Sequence, residues 1–237
     1  MDKTRLYIST TASDAHSVAT QNGLGIEIAE YCTAWNMDDK FDEVHPKVLE
    51  EIDGIRNRVL HAPFNELFPC AIDKKARALA SERYRQAIQL AKSYRAAKVV
   101  IHGGYNPWIY YPVWYVEQSV LFWREFLQED PGVEIVLENV LEEEPGMLLN
   151  IVASIDQPNL RLCLDVGHVN AYAKVPVILE AFSGIKEDAC IVTHGGVIAA
   201  LMEHLFPGEN KNRYEWQSKN GCGYIITNGR YSQLDLD

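Results

Sequence analysis

The sequence predicts an α/β protein built as an eight-stranded (β/α)8 barrel. Eight short runs of β-branched or apolar residues recur along its 237 residues, each followed by a helix-like or loop segment. From Leu6 to Gly223, the starts of the first and last runs, the chain takes seven steps of about 31 residues, the size of one βα unit. Eight such units match a barrel of about 250 residues.

The runs themselves are typical of strands buried on both faces. Segments such as KVVIH and EIVLE are continuously apolar in their centres, whereas the residues of a half-exposed strand would alternate. The predicted strands are Leu6–Ser9, Gly25–Ala29, Arg58–His61, Lys98–His102, Glu134–Glu138, Leu160–Asp165, Ala189–Thr193 and Gly223–Thr227.

The segments between the runs predict helices. Asp73–Arg95 carries a helix-period apolar stripe, Val116–Gln128 is amphipathic, and Glu144–Ile155 has a proline near its first turn, where proline is tolerated. Two features of the sequence do not match a regular (β/α)8 barrel. The connection from Glu30 to Pro46 is long and polar, and no helix clearly follows the last strand, so we expect an atypical or incomplete C-terminal part.

Composition and charge narrow the function classes. With 22 basic and 33 acidic residues the formal net charge is −11, and a general nucleic-acid coat is not expected because phosphate backbones are bound by clustered Lys and Arg. The five cysteines are scattered without a C-x-x-C pair, which fits reduced thiols. No apolar stretch has the length of a membrane helix or signal peptide. We therefore expect a cytoplasmic protein without a membrane partner.

Polar side chains stand at the ends of five consecutive predicted strands, where the βα loops of a barrel converge and carry the chemistry. Imidazole and carboxylate together suit zinc, manganese, iron or cobalt. A single histidine at a strand end is more often a structural residue, and an aspartate there can cap the following turn. Glu138 ends a strongly apolar strand, and a structural role explains it less well because an unpaired buried carboxylate is costly. The residues are His61, His102, Glu138, Asp165, His168 and His194.

The loop after the fourth strand, residues 103–115, is rich in tyrosine and tryptophan. Aromatic rings stack on sugar faces, and their polar atoms add hydrogen bonds. Tyr105 and Trp108, which are nearest the strand end, are the predicted substrate-binding residues. Trp114 and Tyr115 are expected to pack at the base of the next helix.

Four segments in a fixed order carry a resemblance to a known family. LHAPF with His61, VVIHGGY with His102, VLENV with Glu138 and LCLDVGHVNAY with Asp165 and His168 resemble the xylose-isomerase-like TIM-barrel superfamily, over about residues 1–177. That superfamily includes sugar and sugar-phosphate isomerases and epimerases and the apurinic endonucleases. The resemblance implies a divalent metal (Mn, Zn, Co or Mg) held chiefly by Glu138 and Asp165, with His61, His102 and His168 as ligands or neighbours. It also implies acid/base catalysis, for which we expect Glu138 and His102.

The last quarter departs from that pattern. Residues 189–227 resemble the C-terminal part of the histidine phosphatase family, in which the histidine of THGG, here His194, helps to hold a phosphoryl group. The nucleophilic R-H-G motif of that family is missing, so a working phosphatase is not expected. We predict one domain over 1–237, with a xylose-isomerase-like part at 1–180 and a tail at 181–237 that completes or caps the barrel.

The leading functional hypothesis is a divalent-metal-dependent sugar or sugar-phosphate isomerase or epimerase that moves a proton between adjacent carbons at the barrel mouth. No carboxylate ends the predicted eighth strand, so a version of this enzyme with impaired activity is also an open hypothesis. Two alternatives stay open: a metal-dependent phosphodiesterase like the apurinic endonucleases, and a non-catalytic carbohydrate-binding or scaffold protein. The expected partner is a small sugar or sugar phosphate, and nucleic acid is not expected.

Overall fold

The computed structural model of the chain describes residues 6–142, 144, 146–165, 168, 195–209, 211, 215–216, 223–227 and 229–234. The chain divides into two compact units, Met1–Leu164 and Asp165–Asp237, and each is described by itself. The predictions of a single domain and of a change of family near residue 180 stay predictions. Among the described helices, none combines the length and the apolar character that crossing a membrane requires.

The first unit contains a parallel sheet of six strands in the order β1-β2-β3-β4-β5-β6. Sequential parallel neighbours are the arrangement of successive βα units in a barrel, so the predicted fold class is confirmed for this part of the chain. The predicted bounds of β3, β4 and β5 agree with the structure at both ends. The strands are β1 Tyr7–Ser9, β2 Gly25–Ile28, β3 Arg58–His61, β4 Lys98–His102, β5 Glu134–Glu138 and β6 Leu160–Cys163.

Helices connect the strands of this sheet. They are α1 Ala15–Asn22, α2 Ala34–Met37, α3 Phe41–Glu51, α4 Lys74–Ser93, α5 Pro112–Phe126 and α6 Gly146–Ile155. The segment Glu30–Pro46, predicted as a long polar connection, instead contains α2 and the start of α3, with Pro46 inside α3. Helix α5 begins at Pro112, earlier than the predicted Val116, because proline's fixed φ suits the first helical position.

Alternation along the strands separates core residues from site residues. Leu60, Ile101 and Leu137, the penultimate residues of β3, β4 and β5, are fully buried in the apolar core shared with the helices. The final residue of each strand points to the opposite face of the sheet, because successive side chains alternate. The three strand-end side chains that follow Leu60, Ile101 and Leu137 therefore leave the helix-packed core for the other face.

The second unit has its own secondary structure. It contains α7 Gly195–Leu205, a 3-10 turn at Pro207–Glu209, and a hairpin of β7 Gly223–Thr227 and β8 Arg230–Leu234. Gly223–Thr227 is a strand, as predicted, but it pairs antiparallel with β8 in a separate two-stranded sheet instead of lying as a parallel barrel strand. The predicted strand Ala189–Thr193 lies outside the described residues.

Candidate functional site

Three side chains converge where β3, β4 and β5 end: His61, His102 and Glu138. His102 and Glu138 are direct neighbours in the register of β4 and β5. Glu138 Oε2 lies 3.4 Å from His61 Nε2 and 4.0 Å from His102 Nε2, and the two imidazole rings are 5.0 Å apart. The carboxylate oxygen therefore faces the Nε2 atoms of both histidines. The structure brings these three predicted site residues together.

The orientation of His61 is fixed by the backbone. Its Nδ1 lies 2.8 Å from the carbonyl oxygen of Ala62, and a carbonyl only accepts hydrogen bonds, so Nδ1 carries the hydrogen. Burial by itself would lower the pKa of His61, but the Glu138 carboxylate, assisted by Glu27 and the Ala62 carbonyl, raises that pKa above its ordinary value. Nε2 is thus the atom that His61 presents to Glu138.

The donor set fits a divalent metal ion. One nitrogen from each histidine and one Glu138 oxygen all lie within 4.8 Å of one another. Ligands of a tetrahedral zinc, bonded at about 2.0–2.1 Å, stand about 3.3 Å apart, close to the observed 3.4 Å between His61 Nε2 and Glu138 Oε2. Two imidazoles and a carboxylate are also the ligands of catalytic zinc sites with an open position. The residues that would hold an ion here are therefore His61, His102 and Glu138.

An aromatic ring that the sequence reading missed packs on this group. Phe64 stacks on His102 with ring centroids 4.5 Å apart and planes 13° apart, and it meets His61 edge-on at 5.8 Å. Its backbone N–H donates to the carbonyl of Cys32, which anchors the residue. The side chain stays 37% exposed, so it forms one wall beside the histidines. The sequence feature that could have indicated this role is the position of Phe64 in LHAPF, three residues after His61.

The predicted pair Asp165 and His168 begins the second unit. Asp165 Oδ1 accepts a hydrogen bond from the backbone N–H of His168 at 2.9 Å, and Asp165 Oδ2 lies 3.5 Å from His168 Nδ1. Asp165 thus caps its own turn, the structural role that the sequence left open, and also contacts the imidazole. Their predicted role as metal ligands stays a prediction.

The predicted substrate-binding residues have different surroundings. Tyr105 is only 6% exposed and its ring lies 4.9 Å from that of Tyr115, whereas Trp108 is 80% exposed. Trp108 therefore has an open ring face, and Tyr105 is mainly a packing residue in this structure. His194 lies outside the described residues. The role of all three in binding a substrate stays a prediction.

The loops at this edge of the sheet are acidic. The connections that follow β1 to β5, residues 10–14, 29–33, 62–73, 103–111 and 139–145, contain no lysine or arginine. They carry several carboxylates. These are Asp14, Glu30, Glu66, Asp73, Glu142, Glu143 and Glu144. The loops nearest to His61, His102 and Glu138 thus offer hydrogen-bond acceptors and aromatic rings but no cation.

The sequence pattern of one protein family matches most of the chain. The family is described as xylose isomerase-like TIM barrel, and the match covers residues 24–194. A curated relative, the uncharacterized protein MJ1311 of Methanocaldococcus jannaschii, is 33% identical over 155 residues, which is 59% of this chain and 53% of the relative. The chain therefore spans about half the length of this curated relative.

Solved structures give the same fold. A D-tagatose 3-epimerase-like protein is 26% identical with a TM-score of 0.54, and the match covers 80% of this chain and 74% of that chain. The IOLI protein, whose crystal structure has a bound zinc atom, is 18% identical with a TM-score of 0.56, covering 74% of this chain and 67% of that chain. The second likeness shows the fold alone.

Proposed function

The chain belongs to the xylose isomerase-like TIM-barrel family, and from this we propose that it is a divalent-metal-dependent isomerase or epimerase of small sugars. One observation carries the proposal: two imidazoles and a carboxylate converge at the ends of β3, β4 and β5. The similarity to the D-tagatose 3-epimerase-like protein supports a keto sugar as the substrate.

The proposed metal ligands are His61, His102 and Glu138, and Asp165 and His168 stay in the set on the sequence grounds given above. When bound, a divalent ion supplies the charge that polarises the carbonyl and hydroxyl oxygens of a sugar. The chain's own part is proton transfer. Glu138 is the proposed base that takes a proton from the carbon next to the carbonyl, and His102 is the proposed partner that returns one.

The loops after β1 to β5 favour an uncharged sugar over a sugar phosphate. A phosphate group is normally held by Lys, Arg or a free helix N-terminus, and the loops after β1 to β5 contain neither basic residue type. The N-terminus of α4 already has the Asp73 carboxylate as its cap, which disfavours a phosphate there. Phe64 and Trp108 provide ring faces for an uncharged sugar. The same acidity disfavours a DNA phosphodiesterase.

A second candidate is a sugar-binding protein without turnover. The observation that favours it is β7, which pairs in an antiparallel hairpin, whereas the predicted eighth barrel strand would have lain parallel in the sheet. In this case the site would bind a sugar but lack a group that the reaction requires.

One experiment separates these functions. Metal-free protein would be titrated with Mn²⁺, Co²⁺, Zn²⁺ and Mg²⁺ by calorimetry, and the loaded protein would be incubated with a panel of ketoses and aldoses. The proposal expects metal binding and sugar turnover, both greatly weakened by Glu138→Gln and unaffected by the matched change at the exposed Glu82, Glu82→Gln. Sugar binding without turnover would select the second candidate, and the absence of metal binding would overturn the proposal.

A further inference from the structure

We infer that a buried pair, Glu142 and Tyr115, positions the ends of β4 and β5 and thereby sets the geometry of His102 and Glu138. Neither residue belongs to the proposed ligand set, and both are positioning residues. The inference rests on the proposed function, because the geometry in question is that of the proposed metal centre.

The carboxylate of Glu142 is held by two short hydrogen bonds. Glu142 is 8% exposed and Tyr115 is fully buried. The phenol of Tyr115 donates to Glu142 Oε1 at 2.7 Å, and the backbone N–H of Val140 donates to Glu142 Oε2 at 2.7 Å. Val140 is only two residues after Glu138. One end of the pair is therefore attached to the backbone that directly follows the proposed base.

The other end of the pair lies against the backbone that follows His102. A Cβ added at Gly103 would collide with Glu142 Oε1 and with the hydroxyl oxygen of Tyr115, so any larger residue there would have to displace the pair. The Gly103 N–H in turn donates to the carbonyl of Glu138 at 2.9 Å. The pair, Gly103 and Glu138 thus form one continuous junction between the two strand ends.

A buried carboxylate is costly unless its hydrogen bonds are made, so the bonds from Tyr115 and Val140 keep Glu142 in this one position. Replacing Tyr115 by phenylalanine would remove one of the two hydrogen-bond donors described above and loosen the loop that Glu142 holds. Groups that orient metal ligands without touching the metal typically change metal affinity about 10–100-fold when they are mutated. We therefore expect the pair to act on metal affinity more than on folding.

The test compares two losses of a buried phenol hydroxyl. Tyr115→Phe removes the donor to Glu142, and Tyr84→Phe removes a hydroxyl from a ring that is buried among Phe122, Trp123 and Phe126. Calorimetric titration with Zn²⁺ should show affinity at least about tenfold weaker for Tyr115→Phe and within about twofold of wild type for Tyr84→Phe. Gly103→Ala, which displaces the pair without removing a ligand, should also weaken Zn²⁺ binding.

A second readout makes the result independent of metal binding. The ring signals of His61 and His102 in NMR spectra of the metal-free protein should shift in Tyr115→Phe and stay in place in Tyr84→Phe. If wild type binds Zn²⁺ and Tyr115→Phe binds it equally well, the inference is overturned while the proposed function stands. If wild type binds no metal, the proposed function fails, and unchanged histidine signals in Tyr115→Phe would overturn the inference as well.

Discussion

Phe64 gives the site a property that its polar residues alone would not have. Its ring covers one face of His102, so the imidazole can turn only by giving up the stacking contact. Stacked aromatic pairs contribute about 0.5–1.5 kcal/mol beyond the area that they bury. The ring therefore holds His102 in the orientation in which its Nε2 faces Glu138.

We predict that Phe64→Leu, which retains an apolar side chain, lowers the free energy of unfolding by about 0.5–1.5 kcal/mol, measured by urea denaturation. The His102 ring protons lie over an aromatic face and should move downfield in NMR spectra when that face is removed. Phe41 stacks on His45 at 5.1 Å in the same way, so Phe41→Leu is the matched control and should move the His45 signals alone. Unchanged His102 signals in Phe64→Leu would contradict the stacking.

Cys70 predicts a pH dependence of stability. Burial raises the pKa of its thiol to about 12, whereas the thiol of an unfolded chain ionises at about 8.5. As the pH rises, the thiol of the unfolded chain loses its proton before the thiol of the folded chain does. The contribution of Cys70 to the free energy of unfolding is therefore fully present below about pH 8.5 and is lost as the pH rises toward 12. The loss attributable to this residue is about 1.4 kcal/mol per pH unit.

The measurement is urea unfolding at pH 8, 8.5 and 9, below the pKa of about 10 at which the tyrosines of the unfolded chain ionise. Cys70→Ala removes the titrating group, so its free energy of unfolding should fall less steeply with pH than that of wild type. Equal slopes for the two proteins would show that Cys70 is not the group responsible. In the folded wild type at pH 8, peptide mapping after iodoacetamide treatment should find Cys70 unmodified.

At the scale of elements, α4 is the helix with the clearest start. Asp73 takes the N-cap position, and its side chain accepts a hydrogen bond from the backbone N–H of Lys75 at 2.7 Å. Asp14 takes the same position on α1 but makes no capping hydrogen bond through its side chain. The two aspartates form a matched pair for measuring what the cap contributes.

We predict that Asp73→Ala lowers the free energy of unfolding by about 1 kcal/mol and that Asp14→Ala has a clearly smaller effect. Both changes remove one exposed negative charge, so their difference isolates the hydrogen bond. Thermal and urea unfolding of the two variants provide the measurement. Equal losses would mean that charge at the helix N-terminus, and not the cap, is responsible.

The elements also show how far sequence reasoning reached. The central strands β3 to β5 were predicted with their bounds because they are continuously apolar and end in polar residues, and the same ends supplied His61, His102 and Glu138. The helices α2 and α3 were missed because their segment is polar and contains Pro46. The parallel placement of β7 was wrong, since an Asn-Gly pair between β-like runs is a hairpin signal, and Gly229 there has φ +71°.

Phe64 and the pair of Glu142 and Tyr115 show what the sequence could not supply. Each acts through a contact between segments that are distant along the chain: Phe64 reaches from the loop after β3 to His102 on β4, and Tyr115 reaches from α5 to the loop after β5. Residue type and spacing predict which side chains a strand end presents. They do not predict which loop packs beside that strand end.

At the scale of the whole molecule, the net charge of −11 and the acidic loops after β1 to β5 act in the same direction. A phosphorylated sugar brings about two negative charges toward this surface and finds no lysine or arginine in those loops. At an ionic strength of about 0.01 M the Debye length is about 30 Å, so the whole acidic surface repels the ligand, whereas at about 0.15 M it is about 8 Å. The preference for a free sugar over its phosphate should therefore be stronger at low ionic strength than at high ionic strength.

We predict that kcat/KM for a free ketohexose exceeds that for its 6-phosphate by at least about tenfold at low ionic strength, and that added salt narrows the ratio. Glu144→Lys places a cation in the loop after β5 and should raise kcat/KM for the phosphate while leaving the free sugar unchanged. Glu50→Lys makes the same change in net charge on α3, away from the strand ends, and should act weakly on both substrates. A preference for the 6-phosphate in wild type would contradict the uncharged-sugar proposal, because the loops after β1 to β5 offer that group no lysine or arginine.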